Sequence, residues 1–208
     1  MEYLVTMTTH VPDGTPEQEV QDVRAREAAH TVELAAQGHI LRLWRPPLQP
    51  GEWRTLGLFA ADGEAQLNDV LTSMPLRVWR TDEVTPLRPH PNDPARPGPA
   101  PGPAAAAAPD GATEFLVTFT IMVPAGTSSQ AVEDANAREA RSAQELARQG
   151  HLLRLWTLPG DGRVLGLYQD CDAAGMQAIL AALPMYDWMS IDTMPLTEHP
   201  SDPALAAR

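Results

Sequence analysis

The hydrophobic and polar positions of this chain form one pattern written twice. Tyr3 to Val11 is apolar and β-branched with polar residues interleaved, which predicts a strand. Pro12 to Thr15 is a turn. Pro16 suits the first position of a helix, with Glu17 and Glu19 near its positive end. That helix runs to about Gln37, and Gly38 is its stop. His39 to Arg45 predicts a second strand, Pro46 to Gly51 a loop, and Trp53 to Ala60 a third strand. Asp62 is placed to cap a second helix that ends near Ser73. Met74-Pro75 breaks it, and Thr81 to Leu87 makes a last strand. The order is βαββαβ, the ferredoxin-like α+β pattern.

The second writing follows the first closely. Glu2-Tyr3-Leu4-Val5-Thr6 returns as Glu114-Phe115-Leu116-Val117-Thr118, and Ala25-Arg26-Glu27-Ala28 as Ala137-Arg138-Glu139-Ala140. Gln37-Gly38-His39-Ile40-Leu41-Arg42-Leu43-Trp44 returns as Gln149-Gly150-His151-Leu152-Leu153-Arg154-Leu155-Trp156, and His90-Pro91 as His199-Pro200. A repeat of roughly a hundred residues is a duplicated domain, since solenoid units run about 20–50. Between the copies, Pro94 to Ala112 is almost entirely Pro, Ala and Gly, which reads as an extended, semi-stiff linker. The chain therefore divides into a domain at 1–94, a linker at 95–112 and a second domain at 113–208. A ferredoxin-like sheet carries helices on one face only, so the two copies are expected to pair sheet to sheet as an internal dimeric α/β barrel.

Composition narrows the function. Among 208 residues, 27 Asp and Glu outnumber 15 Lys and Arg, for a formal charge of -12. Clustered cations for phosphate are lacking, which argues against a nucleic-acid partner and against an anionic membrane surface. No apolar run reaches the roughly 18 residues that span a bilayer. The first residues lack a secretory pattern, so a cytoplasmic location is expected. One cysteine, Cys171, rules out an internal disulfide, and the histidines show no metal-ligand spacing, so no metal is expected.

One residue in each copy is out of place. At about 100° per residue, Val20, Val23, Thr31, Leu34 and Ala35 form the apolar stripe of the first helix, and Glu27 falls in its middle. Glu139 is the centre of the matching stripe of Val132, Ala135, Ala143 and Leu146. A carboxylate on a core-facing stripe carries a desolvation cost and a raised pKa unless paired, which suits a general base near neutral pH. The competing readings are a buried ion pair, Glu27 with Arg42 and Glu139 with Arg154, or a rotated helix. Strict alternation puts Ile40, Arg42 and Trp44 on one strand face and His39, Leu41 and Leu43 on the other. Arg42 and Arg154 then hold either a substrate carboxylate or the glutamates. Trp44 and Trp156 wall a pocket or pack in the core. His39 and His151, at matching strand starts, are further substrate-binding candidates, and His90 and His199 in the His-Pro tails are weaker ones.

Each half resembles the muconolactone delta-isomerase family. The resemblance rests on the Val5-Thr6-Met7 strand, Ala25 to Ala28, Gly38 to Arg45, Met74-Pro75-Leu76 and Val84-Thr85-Pro86-Leu87 with His90-Pro91. In the second half it rests on Ala137 to Ala140, Gly150 to Trp156, Leu183-Pro184-Met185 and Met194-Pro195-Leu196 with His199-Pro200. It implies ferredoxin-like domains that pair into barrels and assemble as homo-oligomers. It also implies cofactor-independent movement of a proton alpha or vinylogous to a carbonyl of a small lactone acid, with Glu27 and Glu139 as the catalytic glutamates. The chain departs from the family in its tandem fusion and in the segment after Pro75 and Pro184, where pocket walls differ. A diverged cyclase or cofactor-free oxygenase of this fold, and a non-catalytic binding or assembly barrel, are the alternatives. The last of these requires Glu27 and Arg42 to close on each other with no cavity beside them.

Overall fold

A computed structural model describes residues 1–95 and 111–207. Most of the expected linker, residues 96–110, lies outside the described residues. The chain forms two units whose bounds differ from the repeats: Met1–Leu87 with Thr197–Arg208, and Arg88–Leu196. Each unit thus holds one repeat's body and the other repeat's tail.

The first unit contains β1 (Glu2–Thr9), α1 (Glu17–Ala36), β2 (Ile40–Arg45), β3 (Arg54–Ala60), α2 (Glu64–Ser73) and most of β4 (Arg80–Pro89), with a 3-10 turn at Pro75–Trp79 before β4. β1 lies between β3 and β4, antiparallel to both, and β3 pairs with β2. The far end of the chain then adds to β2: Trp44 faces Glu198 and Arg45 faces Thr197. The second unit contains β5 (Thr113–Ile121), α3 (Ser129–Arg148), β6 (Leu152–Thr157), β7 (Arg163–Asp170), α4 (Ala173–Ala181), a 3-10 turn at Tyr186–Trp188 and most of β8 (Met189–Glu198). β5 lies between β7 and β8, β6 follows β7, and here Arg88 and Pro89 pair with Thr157 and Trp156.

The local chemistry explains most element ends. α1 starts behind Pro16 and ends where Gly38 takes φ 78°, a left-handed turn that costs glycine least. α3 is capped by Ser128 Oγ, which accepts the Ala131 N–H at 3.2 Å. The cap of α2 is not Asp62 as expected but Gly63, which makes no side-chain cap bond. In the other copy the equivalent site is Asp172, whose carboxylate accepts the Gly175 N–H at 2.8 Å.

Strict alternation fails on the second strand. A bulge between Ile40 and Arg42 sets Ile40 opposite Phe59 but Arg42 opposite Leu58. The extra residue moves Leu43 onto the face of Ile40, and both join the core under the helices with Val5, Phe59, Leu67 and Leu71. Trp44 turns to the other face, where it is buried together with Leu56 and Leu58. The same bulge between Leu152 and Arg154 puts Leu152 and Leu155 into the second core with Phe115, Val117 and Met176.

Candidate functional site

Glu27 stands on α1 against the 3-10 turn, with 12% of its side chain exposed. Its Oε2 accepts the Leu76 backbone N–H at 2.8 Å and its Oε1 accepts from Arg80 Nη1 at 3.2 Å. Pro75 breaks the chain after α2 and leaves the Leu76 amide, an unpaired donor of a helix start, facing the carboxylate. Arg80 is almost wholly buried and is shared: its Nε lies 2.7 Å from Asp82 Oδ1, and its Nη2 donates to the Leu71 carbonyl at 3.2 Å. Burial raises the pKa of Glu27; the Leu76 amide, Arg80 and His30 pull against that rise, while Asp82 adds to it. The carboxylate is therefore basic for a glutamate, yet held in one place by two donors.

Beside it lies a cavity of about 370 Å³, lined within this unit by Glu27, Thr9, Arg24, Arg45, Trp53 and His199 among others. The Arg24 guanidinium sits over the Trp53 ring at 5.3 Å, so the indole steadies a cation at the cavity wall. His199 arrives on the tail. Its Nδ1 accepts the Ser201 backbone N–H at 3.2 Å, which leaves the ring proton of the neutral imidazole on Nε2. Burial first, then Arg45, pushes its pKa down to about 4, with Arg24 adding and Asp202 opposing. At neutral pH this ring is an uncharged N–H donor.

The second unit repeats the skeleton with a different filling. Glu139 Oε2 accepts the Met185 N–H at 3.2 Å, and burial raises its pKa against that one bond. Met189 stands where the first copy has Arg80, Phe119 where it has Met7, and Tyr168 where it has Phe59. Phe119 and Tyr168 meet edge to face with ring centres 6.1 Å apart. The cavity at Glu139 shrinks to about 40 Å³. His90 lines it and keeps the tail geometry, its Nδ1 accepting the Asn92 N–H at 3.1 Å, and burial lowers its pKa against the pull of Asp93.

The other expected site residues lie elsewhere. Arg42 does not pair with Glu27; it bonds to Asp202, whose side chain is 1% exposed, at 3.0 Å and stacks 4.8 Å over Trp44. Arg154 does the same with Asp93 at 3.3 Å and with Trp156 at 4.7 Å. Trp44 and Trp156 are 1% exposed and pack in the interior. His39 Nδ1 donates to the Ala60 carbonyl at 3.1 Å and His151 Nδ1 to the Gln169 carbonyl at 3.2 Å, tying strand to strand. None of these six is among the described residues that line either glutamate's cavity. The closed Glu27–Arg42 pair required of a non-catalytic barrel is likewise replaced by Glu27–Arg80 with an open cavity.

Sequence reasoning missed Arg80, Arg24 and Arg45 and undervalued His199. Two signals were present. The tails repeat as His90-Pro91-Asn92-Asp93 and His199-Pro200-Ser201-Asp202, and the aspartate, not only the His-Pro pair, is kept. Arg80 and Asp82 also share one strand face in the first copy while Met189 and Ile191 replace both in the second.

A family model for muconolactone delta-isomerase matches residues 1–93 and 113–202. Muconolactone Delta-isomerase 1 of Acinetobacter lwoffii is 33% identical over 92 residues, 44% of this chain and 93% of its own length. The enzyme of that name from Cupriavidus pinatubonensis is 32% identical over 92 residues, 44% of this chain and 97% of its own. Among solved structures, chlorite dismutase from Candidatus Nitrospira defluvii in complex with imidazole aligns at a TM-score of 0.58 and 12% identity, over 96% of this chain and 92% of that one. A heme-binding protein from Thermus thermophilus aligns at 0.60 and 12% identity, over 100% and 95%. At such identity the likeness is one of fold.

Proposed function

The chain belongs to the muconolactone delta-isomerase family through both of its copies, and from that premise we propose that it is an isomerase that moves a proton next to a carbonyl of a small lactone acid. The first unit is the working site. Glu27 takes the proton from a carbon alpha or vinylogous to the carbonyl and returns it to another carbon of the same conjugated system. Arg24 and Arg45, at the cavity wall, hold the acid's carboxylate, the part given to Arg42 and Arg154 on sequence alone.

The observation that carries this reading is a raised-pKa carboxylate opening into about 370 Å³, within the range of roughly 300–1,000 Å³ typical of small-ligand sites. The second cavity, at about 40 Å³, has space for water rather than a lactone. Glu139 there serves as the buried acceptor that fixes the Met185 amide. Sheet-to-sheet pairing of the halves, self-association of the chain and a cytoplasmic location belong to the same proposal. Among the described residues, no helix is long and apolar enough to cross a membrane.

The test follows a muconolactone-type lactone acid by proton NMR in D₂O. Conversion to the double-bond isomer, with deuterium entering the carbon that receives the proton, is the expected result. The absence of both conversion and exchange over a panel of such acids overturns the proposal. Light scattering reads the assembly, and a single-chain mass overturns self-association.

A further inference from the structure

We infer that His199, delivered by the chain's distal tail, is the electrophilic partner of Glu27: its Nε2–H donates a hydrogen bond to the substrate carbonyl oxygen on which charge develops as the proton leaves. This rests on the isomerase reading above and adds a residue and a role to it.

Removing a proton beside a carbonyl places the electron pair on the carbonyl oxygen, and a donor fixed at that oxygen lowers the barrier most when water is excluded. Arg24, Arg45 and His199 are among the donors that line the first cavity. Only the histidine is set by its own turn. The Ser201 N–H occupies Nδ1, so the single ring proton is on Nε2. The tail itself is anchored, because Asp202, one residue further, is bound to Arg42 and to the Leu43 N–H at 3.1 Å. The charged groups acting on the ring are Arg45 from β2, Arg24 from α1 and Asp202 from the tail, and Glu27 and Arg80 share the cavity with it. Both arginines disfavour an imidazolium, which leaves them to the substrate's carboxylate and the ring to its carbonyl.

The step balances within the site. The C–H bond breaks, its proton passes to Glu27, and the electron pair moves through the conjugated system to the carbonyl oxygen. The Nε2–H hydrogen-bonds that oxygen without giving up its proton. Glu27 then returns its proton to the distant carbon, the electron pair forms the new C–H bond, and the carbonyl re-forms. No other reactant enters.

Two variants separate this role from a purely structural one. In His199→Asn the amide oxygen stands near the place of Nδ1 and still accepts the Ser201 N–H, but nothing replaces Nε2–H. In His199→Gln the amide nitrogen stands near the place of Nε2 and restores a donor. The expected result is a kcat about 10²-fold or more lower in His199→Asn with KM little changed, and recovery of most of that loss in His199→Gln. The reverse ranking, with His199→Asn near wild type and His199→Gln impaired, marks a turn residue and overturns the inference. Nitrogen-15 NMR of the wild-type ring reads the Nε2–H tautomer directly across about pH 5–8. An imidazolium at neutral pH overturns the role even if the enzyme is active. A wild-type chain inactive on every lactone acid sinks the isomerase reading itself, whatever the tautomer.

Discussion

Asp202 grips the Arg42 guanidinium at 3.0 Å across 160 residues of sequence. The same carboxylate accepts the backbone N–H of Leu43, so one buried side chain ties the tail to β2 through both main chain and side chain. Asp93 repeats this with Arg154 and with the Leu155 N–H at 3.0 Å. Removing one member of a buried pair leaves the other charge uncompensated, which costs about 3–5 kcal/mol. Arg42 stacks on Trp44 and is 19% exposed, which favours the lower end of that range. Asp202→Ala and Asp93→Ala are each expected to lose about 3 kcal/mol in urea unfolding. Asp202→Ala alone is also expected to lower kcat and raise KM, since it frees the tail that carries His199 and walls the cavity with Pro200 and Ser201.

The two glutamates are expected to separate cleanly. Glu27→Gln keeps the shape and the bond from the Leu76 N–H but cannot take a proton, and turnover falls by about 10²–10⁴. Glu139→Gln leaves turnover near wild type. Steady-state rates on the lactone acid, with circular dichroism to confirm folding, check both. Equal losses in the two variants refute the assignment of catalysis to the first unit.

After the Leu76 amide, Arg80 limits how far the Glu27 pKa rises. Burial lifts it and the guanidinium holds it back. Activity that needs the ionised carboxylate falls as pH drops through this pKa, so the acid limb of kcat/KM lies above the ordinary value of 4.5 for a glutamate. Arg80→Met, which copies Met189 of the second unit, removes the opposing cation and moves that limb to still higher pH. An unmoved limb assigns it to another group.

The raised pKa of Glu139 has a sign for stability. A folded-state value above the unfolded one means that the ionised form is disfavoured by folding. The stability linked to this group is complete below pH 4.5 and is lost as pH rises through the folded value. Glu139→Gln cannot ionise, so it is expected to unfold at higher denaturant than wild type near pH 7. The gap should close near pH 4.

Gly57 lies beneath the Phe59 ring, and a Cβ there comes within 2.3 Å of Phe59 Cε2. Phe59 is fully buried and cannot swing out. Gly57→Ala overpacks the core under α1 and is expected to cost about 1–3 kcal/mol in chemical denaturation. Gly166→Ala should behave alike, because Tyr168 covers it at 2.4 Å.

How much of this was legible depends on range. The βαββαβ order and the interior position of Glu27 follow from periodicities of two and 3.6 residues, which act over one element at a time. The misplacement of Arg42 and Trp44 came from a single inserted residue: a bulge reverses which side chains share a face, and hydrophobic alternation cannot register it. Arg80 was hidden because its partners Glu27 and Asp82 stand 53 residues before and two after it, joined only once β4 pairs with β1. His199 was hidden for the same reason at greater distance. The exchange of tails is a three-dimensional fact, although the paired aspartates at 93 and 202 marked its anchors in the sequence.

That exchange has a consequence for the order of assembly at the ribosome. The body of the first unit emerges early, yet its cavity lacks a wall until residues 199–201 have been synthesised. The second unit has its tail, His90 to Asp93, waiting before β5 is made. A nascent chain thus completes its tightly filled, narrow copy first, and the roomier copy gains its last wall only once residues 199–201 have followed.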